Sequence, residues 1–222
     1  KTQAGEAADP IAAKGKAAVK TQAGEAADPI AALVPNVDYT DLREWIEEAR
    51  KLGEVREVNG LNWQEEIGMA AEVVLHDENA PAVLFGEVPG TLPGSRLLVN
   101  FFGGKRQRMT LGFPTNLDKI ALSEAFRTNY MADLKRIEPR YVNDGPVFEN
   151  VIKGDAIDIG IFPTPKWHED DGGRYIGTGS FNVTRDPDEG WINCGTYRVM
   201  IHDKQTVGFY ISPGKHGRIM RD

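Results

Sequence analysis

The apolar residues of this chain change their spacing part-way along it, and that change restricts its architecture more than any other feature. Up to about Lys135 the pattern alternates between helical and strand-like stretches. From Tyr175 onward it is almost entirely that of strands and turns. Interleaved helices and strands imply a layered α/β unit. A run of strands joined by short turns implies an antiparallel sheet, the beginning of a sandwich or barrel. The chain therefore reads as two units of different class in tandem.

Within the first unit, DYTDLREWIEEARKLG (Asp38–Gly53) places Leu42, Trp45, Ile46 and Ala49 at i, i+3, i+4 and i+7, one face of a helix. Thr40 or Asp38 is the expected cap, and Gly53 suits the position just past the end. A strand is expected at Glu54–Val58 and a second amphipathic helix over Trp63–Leu75. Pro81–Val88 and Arg96–Phe102 read as buried strands around the turn PGTLPG, and Leu117–Leu134 as another helix.

In the second unit, Tyr175–Thr184, Trp191–His202 and Thr206–Ser212 are expected as three strands of a meander. Asp186–Gly190 and Asp203–Gln205 form the turns between them. Alternation sets Tyr197, Val199 and Ile201 against Arg198, Met200 and His202 on opposite faces. Three strands cannot close a barrel, so the expectation is a barrel cut short at Asp222.

Residues 1–33 stand apart. KTQAGEAADPIAA occurs at Lys1–Ala13 and again, unchanged, at Lys20–Ala32. Solenoid repeats number at least three and diverge, and a secretory signal needs an apolar core that is missing here. The expectation is an Ala/Gly-rich leader outside the fold.

Composition excludes several functions. With 26 Lys and Arg against 33 Asp and Glu, the net charge is −7, which leaves no cationic excess for a dedicated nucleic-acid binder. No apolar run approaches the roughly 20 residues that span a bilayer. A single cysteine, Cys194, rules out an intrachain disulfide and fits a reducing, cytoplasmic setting. Walker, Rossmann and nucleophile-elbow motifs are missing, and the four histidines lack zinc spacing.

Two clusters remain. One is PKWHEDDGGRY, Pro165–Tyr175; within it His168 reads equally well as a packing residue. The other pairs NCGTYR, Asn193–Arg198, with SPGKHG, Ser212–Gly217, across one hairpin. An Asn oxygen, an imidazole nitrogen, a carboxylate and phosphate oxygens would make a hard site suited to Mn²⁺ or Mg²⁺. Backbone N–H groups near Gly195 and Gly214, with Lys215 and Arg198, would suit a phosphate-bearing ligand. Isolated Asn and His residues in turns are, however, most often turn formers.

From about Asp38 onward the chain resembles the UbiD-type decarboxylases, which use prenylated FMN. The resemblance rests on YTDLREWIEEARKLGEVREV, ENAPAVLFGEVPG, LLVNFFGGKRQRMTLGFP, FPTPKWHEDDGGRYI, NVTRDPDEGWINCGTYRVMIHDK and SPGKHG, in that order. It implies an α/β N-terminal domain over 34–150, then an incomplete antiparallel split β-barrel, flavin-reductase-like, over 151–222. It also implies Asn193 and His216 as metal ligands, His216 as in the ferulate-decarboxylase branch. Arg198 is implied as the catalytic arginine, and Thr196, Tyr197, Arg198, Ser212 and Lys215 as cofactor contacts. The implied cofactors are prenylated FMN, a divalent cation such as Mn²⁺, and K⁺. The implied partners are an aromatic or acrylic acid substrate, a flavin prenyltransferase that supplies the cofactor, and further copies in a homo-oligomer.

The glutamate ligand and the acidic proton donor of the family are expected beyond Asp222. A truncated, non-catalytic flavin- or partner-binding module is therefore the alternative to a decarboxylase. An ordinary FMN reductase is disfavoured by the α/β unit and the GGRYI phrase.

Overall fold

The computed structural model describes residues 33–130, 138 and 140–222. The repeated leader, apart from Leu33, lies outside the described residues, as do residues 131–134 of the expected third helical stretch. Leu33 packs against the cluster of Phe113, Leu122 and Ala125.

The α/β layer begins with α1 (Leu42–Lys51), β1 (Val55–Asn59), α2 (Glu66–Leu75), β2 (Ala82–Gly86) and β3 (Leu97–Val99). The sheet order is β1-β2-β3, with β1 parallel to β2 and β3 antiparallel to it. All five residues of β2 are buried, because its two faces are both covered. Ala82 and Leu84 face α1 through Trp45, Ile46 and Ala49. Val83 and Phe85 face α2 through Ile67 and Ala71. A strand buried on both sides reads as a continuous apolar run, and AVLFG is one.

Local chemistry moves the helix starts. Asp41, rather than Thr40 or Asp38, caps α1: its carboxylate accepts from the backbone N–H groups of Arg43 and Glu44. Thr40 instead donates its N–H and hydroxyl to the Glu44 carboxylate. Helix α2 starts at Glu66, not Trp63. Asn62 accepts from the N–H groups of Glu65 and Glu66 while its own N–H donates to the Glu66 side chain. That reciprocal cap consumes the turn in which Trp63 lies.

Sequence patterning gave no sign of α3 (Gly104–Thr110), whose buried side chains are Arg106 and Arg108. The helix expected from Leu117 is α4 (Lys119–Ala125), continued by a π-turn over Phe126–Tyr130.

A long connection then returns across the layer: Lys166 N–H donates to Trp63 O and Leu92 N–H to Ile161 O. At Gly68 a Cβ would lie 2.4 Å from Trp167 O, so the absence of a side chain lets this connection sit on α2. The Arg174 guanidinium lies 4.1 Å above the Trp63 ring and donates to the carbonyls of Gly160, Phe162 and Thr164.

The β half follows as β4 (Tyr175–Gly177), β5 (Asn182–Arg185), β6 (Ile192–Gly195), β7 (Arg198–Ile201), β8 (Val207–Tyr210) and a closing helix α5 (His216–Arg221). Two of the expected strands are each broken in two. Tyr175–Thr184 divides into β4 and β5, and Trp191–His202 into β6 and β7. The halves join different sheets, β4-β7-β8 and β5-β6. The breaks coincide with side chains that tie the two bends together. Ser180 Oγ donates to Tyr197 O, and Asn182 Nδ2 donates to Gly195 O. Among the described residues no sheet closes on itself.

Candidate functional site

The seven residues singled out from the sequence meet at one place. Asn193, Thr196, Tyr197, Arg198, Ser212, Lys215 and His216 all line an open cleft of about 470 Å³. The first half of β6 supplies Asn193, the bend supplies Thr196 and Tyr197, and the start of β7 supplies Arg198. Ser212 and Lys215 come from the loop after β8, and His216 opens α5.

Asn193 is buried, and its amide is fixed. Nδ2 donates to Thr184 Oγ1 at 3.1 Å and to the Tyr197 hydroxyl at 3.0 Å. Both Nδ2 hydrogens are thereby engaged, and among the described residues Oδ1 accepts no hydrogen bond. The Thr184 hydroxyl donates to Met220 Sδ on α5, which leaves its oxygen free to accept from Asn193. The same Tyr197 hydroxyl accepts the N–H of Gly217 at 3.1 Å. The His216 ring stands edge-on to Trp191, with centroids 5.0 Å apart. Strands β5 and β6 therefore share one network with the start of α5.

The cleft is electropositive within a negatively charged chain. Arg198 and Lys215 line it with His216, and no aspartate or glutamate does. Arg198 is exposed, and its guanidinium lies 5.7 Å from the Tyr175 ring. It also borders a larger, mainly apolar cleft of about 570 Å³ whose walls include Phe101, Trp167 and Tyr175. His168 lines that second cleft, with Nε2 3.3 Å from Glu72 and Nδ1 3.7 Å from Asp171. Hydrogen bonds from His76, and then from His168, hold the Glu72 carboxyl below the usual carboxylate range.

This donor set fits a phosphate: two cations and a serine hydroxyl share one concave surface. It fits a divalent cation in part. Asn193 Oδ1 and a His216 nitrogen are suitable donors, but among the described residues no three His, Cys, Asp or Glu side chains gather to hold a metal. A ligand phosphate beside the ion would supply the missing hard, anionic oxygens. The residues that sequence reading missed are those behind the site: Thr184, Trp191, Gly217 and Met220. Thr184, Trp191 and Gly217 fall within the phrases that carry the family resemblance, whereas Met220 carried no signal in the sequence.

The architecture is that of a known enzyme class. In the closed form of the vanillic acid decarboxylase of Sedimentibacter hydroxybenzoicus, the matching part superposes with a TM-score of 0.72 at 28% identity, covering 82% of this chain and 39% of that one. An evolved dimeric form of the UbiD-class enzyme HmfF from Pelotomaculum thermopropionicum, in complex with prFMN, shares the fold: TM-score 0.65, 24% identity, 81% of this chain and 40% of that one.

Residues 140–222 match the UbiD family's 3-octaprenyl-4-hydroxybenzoate carboxy-lyase Rift-related domain. The pyrrole-2-carboxylic acid decarboxylase of Pseudomonas aeruginosa is 32% identical over 191 residues, which cover 82% of this chain and 38% of that protein. The chain carries a UbiD-family domain, and it corresponds to the N-terminal part of its relatives. Among the described residues no helix is long and apolar enough to cross a membrane.

Proposed function

We propose that this chain is the cofactor-holding part of a decarboxylase acting on an aromatic or α,β-unsaturated carboxylic acid with prenylated FMN. The observation that carries this reading is the convergence of Asn193, Thr196, Tyr197, Arg198, Ser212, Lys215 and His216 on one electropositive cleft. The named decarboxylases among its relatives, and the neighbour in complex with prFMN, support it. We place the boundary between the α/β domain (34–150) and a split-barrel domain (151–222) close to the start of the family match at residue 140.

Each residue then has a chemical task. Lys215 and Ser212 bind the phosphate of the flavin by charge and hydrogen bond. Asn193 Oδ1 and a His216 nitrogen would be the two ligands this chain offers to a Mn²⁺-type ion, which with K⁺ would offset the negative charge of that phosphate. Thr196 and Tyr197 shape the wall on which the cofactor rests. When bound, the modified flavin supplies the electron sink for loss of CO₂. Arg198 stands between the polar and the apolar cleft. It pairs with the substrate carboxylate and aligns it for departure, while the apolar walls exclude water from the reacting face. We assign the proton donor and the anionic metal ligand to groups beyond this cleft. We further place the enzyme in the cytoplasm as a homo-oligomer served by a flavin prenyltransferase.

A second reading is a non-catalytic flavin-binding module, and the lack of any carboxylate among the cleft-lining residues favours it. CO₂ release separates the two. The enzyme containing this chain, produced together with a flavin prenyltransferase, should release CO₂ from an aromatic or acrylic acid. Its Arg198→Ala variant should lose that activity while retaining bound flavin. A variant that turns over normally would remove Arg198 from the chemistry, and flavin retention without turnover by the unmodified enzyme would favour the binding module.

A further inference from the structure

Tyr197 lines the cleft, yet its hydroxyl is committed to the protein. The phenol oxygen accepts two N–H groups: Nδ2 of Asn193 at 3.0 Å and the backbone N–H of Gly217 at 3.1 Å. The first belongs to β6 and the second to the residue after His216 in α5.

The ring is buried at 9% exposure, and its place depends on two glycines. A Cβ on Gly195 would come within 2.5 Å of the Tyr197 ring and hydroxyl, and one on Gly217 within 2.6 Å of the hydroxyl. Phe209 closes another side, 6.0 Å between ring centroids. The phenol is thus held by the backbone on two sides, with its oxygen between Asn193 and the residue that follows His216.

We propose that Tyr197 is the positioning residue of this site, acting through Asn193 and the start of α5. An unrestrained asparagine amide can rotate to offer either its oxygen or its NH₂ group, and only the oxygen is a metal ligand. Thr184 and Tyr197 together occupy both Nδ2 hydrogens, so Oδ1 is the atom that remains to accept. The hydrogen bond from Gly217 to the same oxygen fixes where His216 begins its helix relative to Asn193. One hydroxyl therefore sets both the orientation of the first ligand and its spacing from the second. This inference rests on the metal role proposed above for Asn193 and His216.

Tyr197→Phe removes the hydroxyl and keeps the ring between Gly195 and Gly217. Partners that orient metal ligands typically change metal affinity about 10- to 100-fold. Titration of Mn²⁺ into the enzyme containing this chain in the presence of FMN, read by calorimetry, should show Y197F binding Mn²⁺ at least about tenfold more weakly. In a double-mutant cycle, Y197F added to Asn193→Ala should weaken binding by less than Y197F does in the unmodified protein, because the part of its effect that runs through Asn193 is already lost.

Unchanged Mn²⁺ affinity in Y197F, or additive effects in the cycle, would overturn the positioning role. Failure of the unmodified enzyme containing this chain to bind Mn²⁺ with FMN would overturn the metal reading instead. Tyr197 would then be judged on the Asn193 side-chain amide protons alone, by NMR. Slow exchange in the unmodified chain that is lost in Y197F supports the orientation, and equal exchange in both refutes it.

Discussion

Replacing Arg106 by methionine tests whether the α/β layer is held at its centre by a buried ion pair. Arg106 is 1% exposed, and its guanidinium pairs with Glu54 between α1 and β1. It also donates to the carbonyls of Ala80, just before β2, and Asn100, just after β3. One side chain thus ties together the approaches to all three strands of the sheet. Burial pushes the guanidinium pKa down, and Glu54 pulls it back.

Methionine fills most of the space, so little cavity cost enters. Removing one partner of a buried pair costs about 3–5 kcal/mol, because the other charge is stranded. The Glu54 side chain is 17% exposed, which places the effect at the low end, about 3 kcal/mol. The Ala80 carbonyl still accepts from Asn100 Nδ2, whereas the Asn100 carbonyl loses the donor it had, adding about 1 kcal/mol. The expected loss is about 4 kcal/mol, a large share of the 5–15 kcal/mol typical of a domain. Urea unfolding followed by tryptophan fluorescence would report it, since Trp45 on α1 hydrogen-bonds Thr110 of the helix that carries Arg106. Changing Glu54 to Gln as well should recover part of the loss by removing the stranded charge. A loss below about 1 kcal/mol in Arg106→Met would refute the reasoning, because that is the scale of an exposed pair.

Three further outcomes are expected. Gly68→Ala should lower stability by about 1–3 kcal/mol in urea unfolding, although alanine is the better helix former, because its Cβ meets Trp167 O at 2.4 Å. A more stable variant would show that the Trp167 connection does not rest on α2. Asp41→Ala should lower the thermal midpoint at neutral pH. The N–H groups of Glu44 and Arg43 hold the Asp41 pKa below its ordinary value, so this stabilisation is fully present above the unfolded-state pKa and lost as pH falls through the folded one. The gap between the two proteins should therefore close in acid, and a gap that persists would place the effect elsewhere. Finally, this chain alone, made with a flavin prenyltransferase, should release no CO₂ from an aromatic or acrylic acid, since no carboxylate lines the smaller cleft. Robust release would identify Glu72 or Asp171 of the neighbouring cleft as the proton donor, despite their contacts with His168.

How far each element could be read from the sequence followed from what its inward face is made of. Helix α1 shows a regular apolar stripe, and Trp45, Ile46 and Ala49 are indeed its buried residues. Strand β2 shows an unbroken apolar run because helices cover both its faces. Helix α3 escapes any such pattern, since what it turns inward are two arginines whose charges are met by Glu54 and by carbonyls of Ala80, Asn100, Gly104 and Leu117. The breaks between β4 and β5 and between β6 and β7 were hidden for a related reason. Residues on both sides of each break favour strands, and what divides them is hydrogen bonding between the bends, from Ser180 and Asn182 to the backbone of Tyr197 and Gly195. Such contacts depend on where two distant segments meet, which no local pattern records.

The second of those bends also explains how the cleft can form. Asn193 and Arg198 are five residues apart, and in a continuous strand an odd separation places side chains on opposite faces. A straight Trp191–His202 strand would therefore have kept the two apart, with a sheet between them. The break over Thr196 and Tyr197 removes the conflict. β6 ends at Gly195, β7 starts at Arg198 in a different sheet, and both Asn193 and Arg198 line one cleft. Gly195 is where the turn needs least bulk, because the Tyr197 ring folds back to where its Cβ would be. The alternation then resumes in β7, with Val199 buried and Arg198 exposed. The residue types that resembled a cofactor site were visible in the linear sequence. Their meeting depends on a glycine, a bend and a tyrosine that folds under it, so the same six letters, NCGTYR, encode both the functional groups and the distortion that brings them to one face.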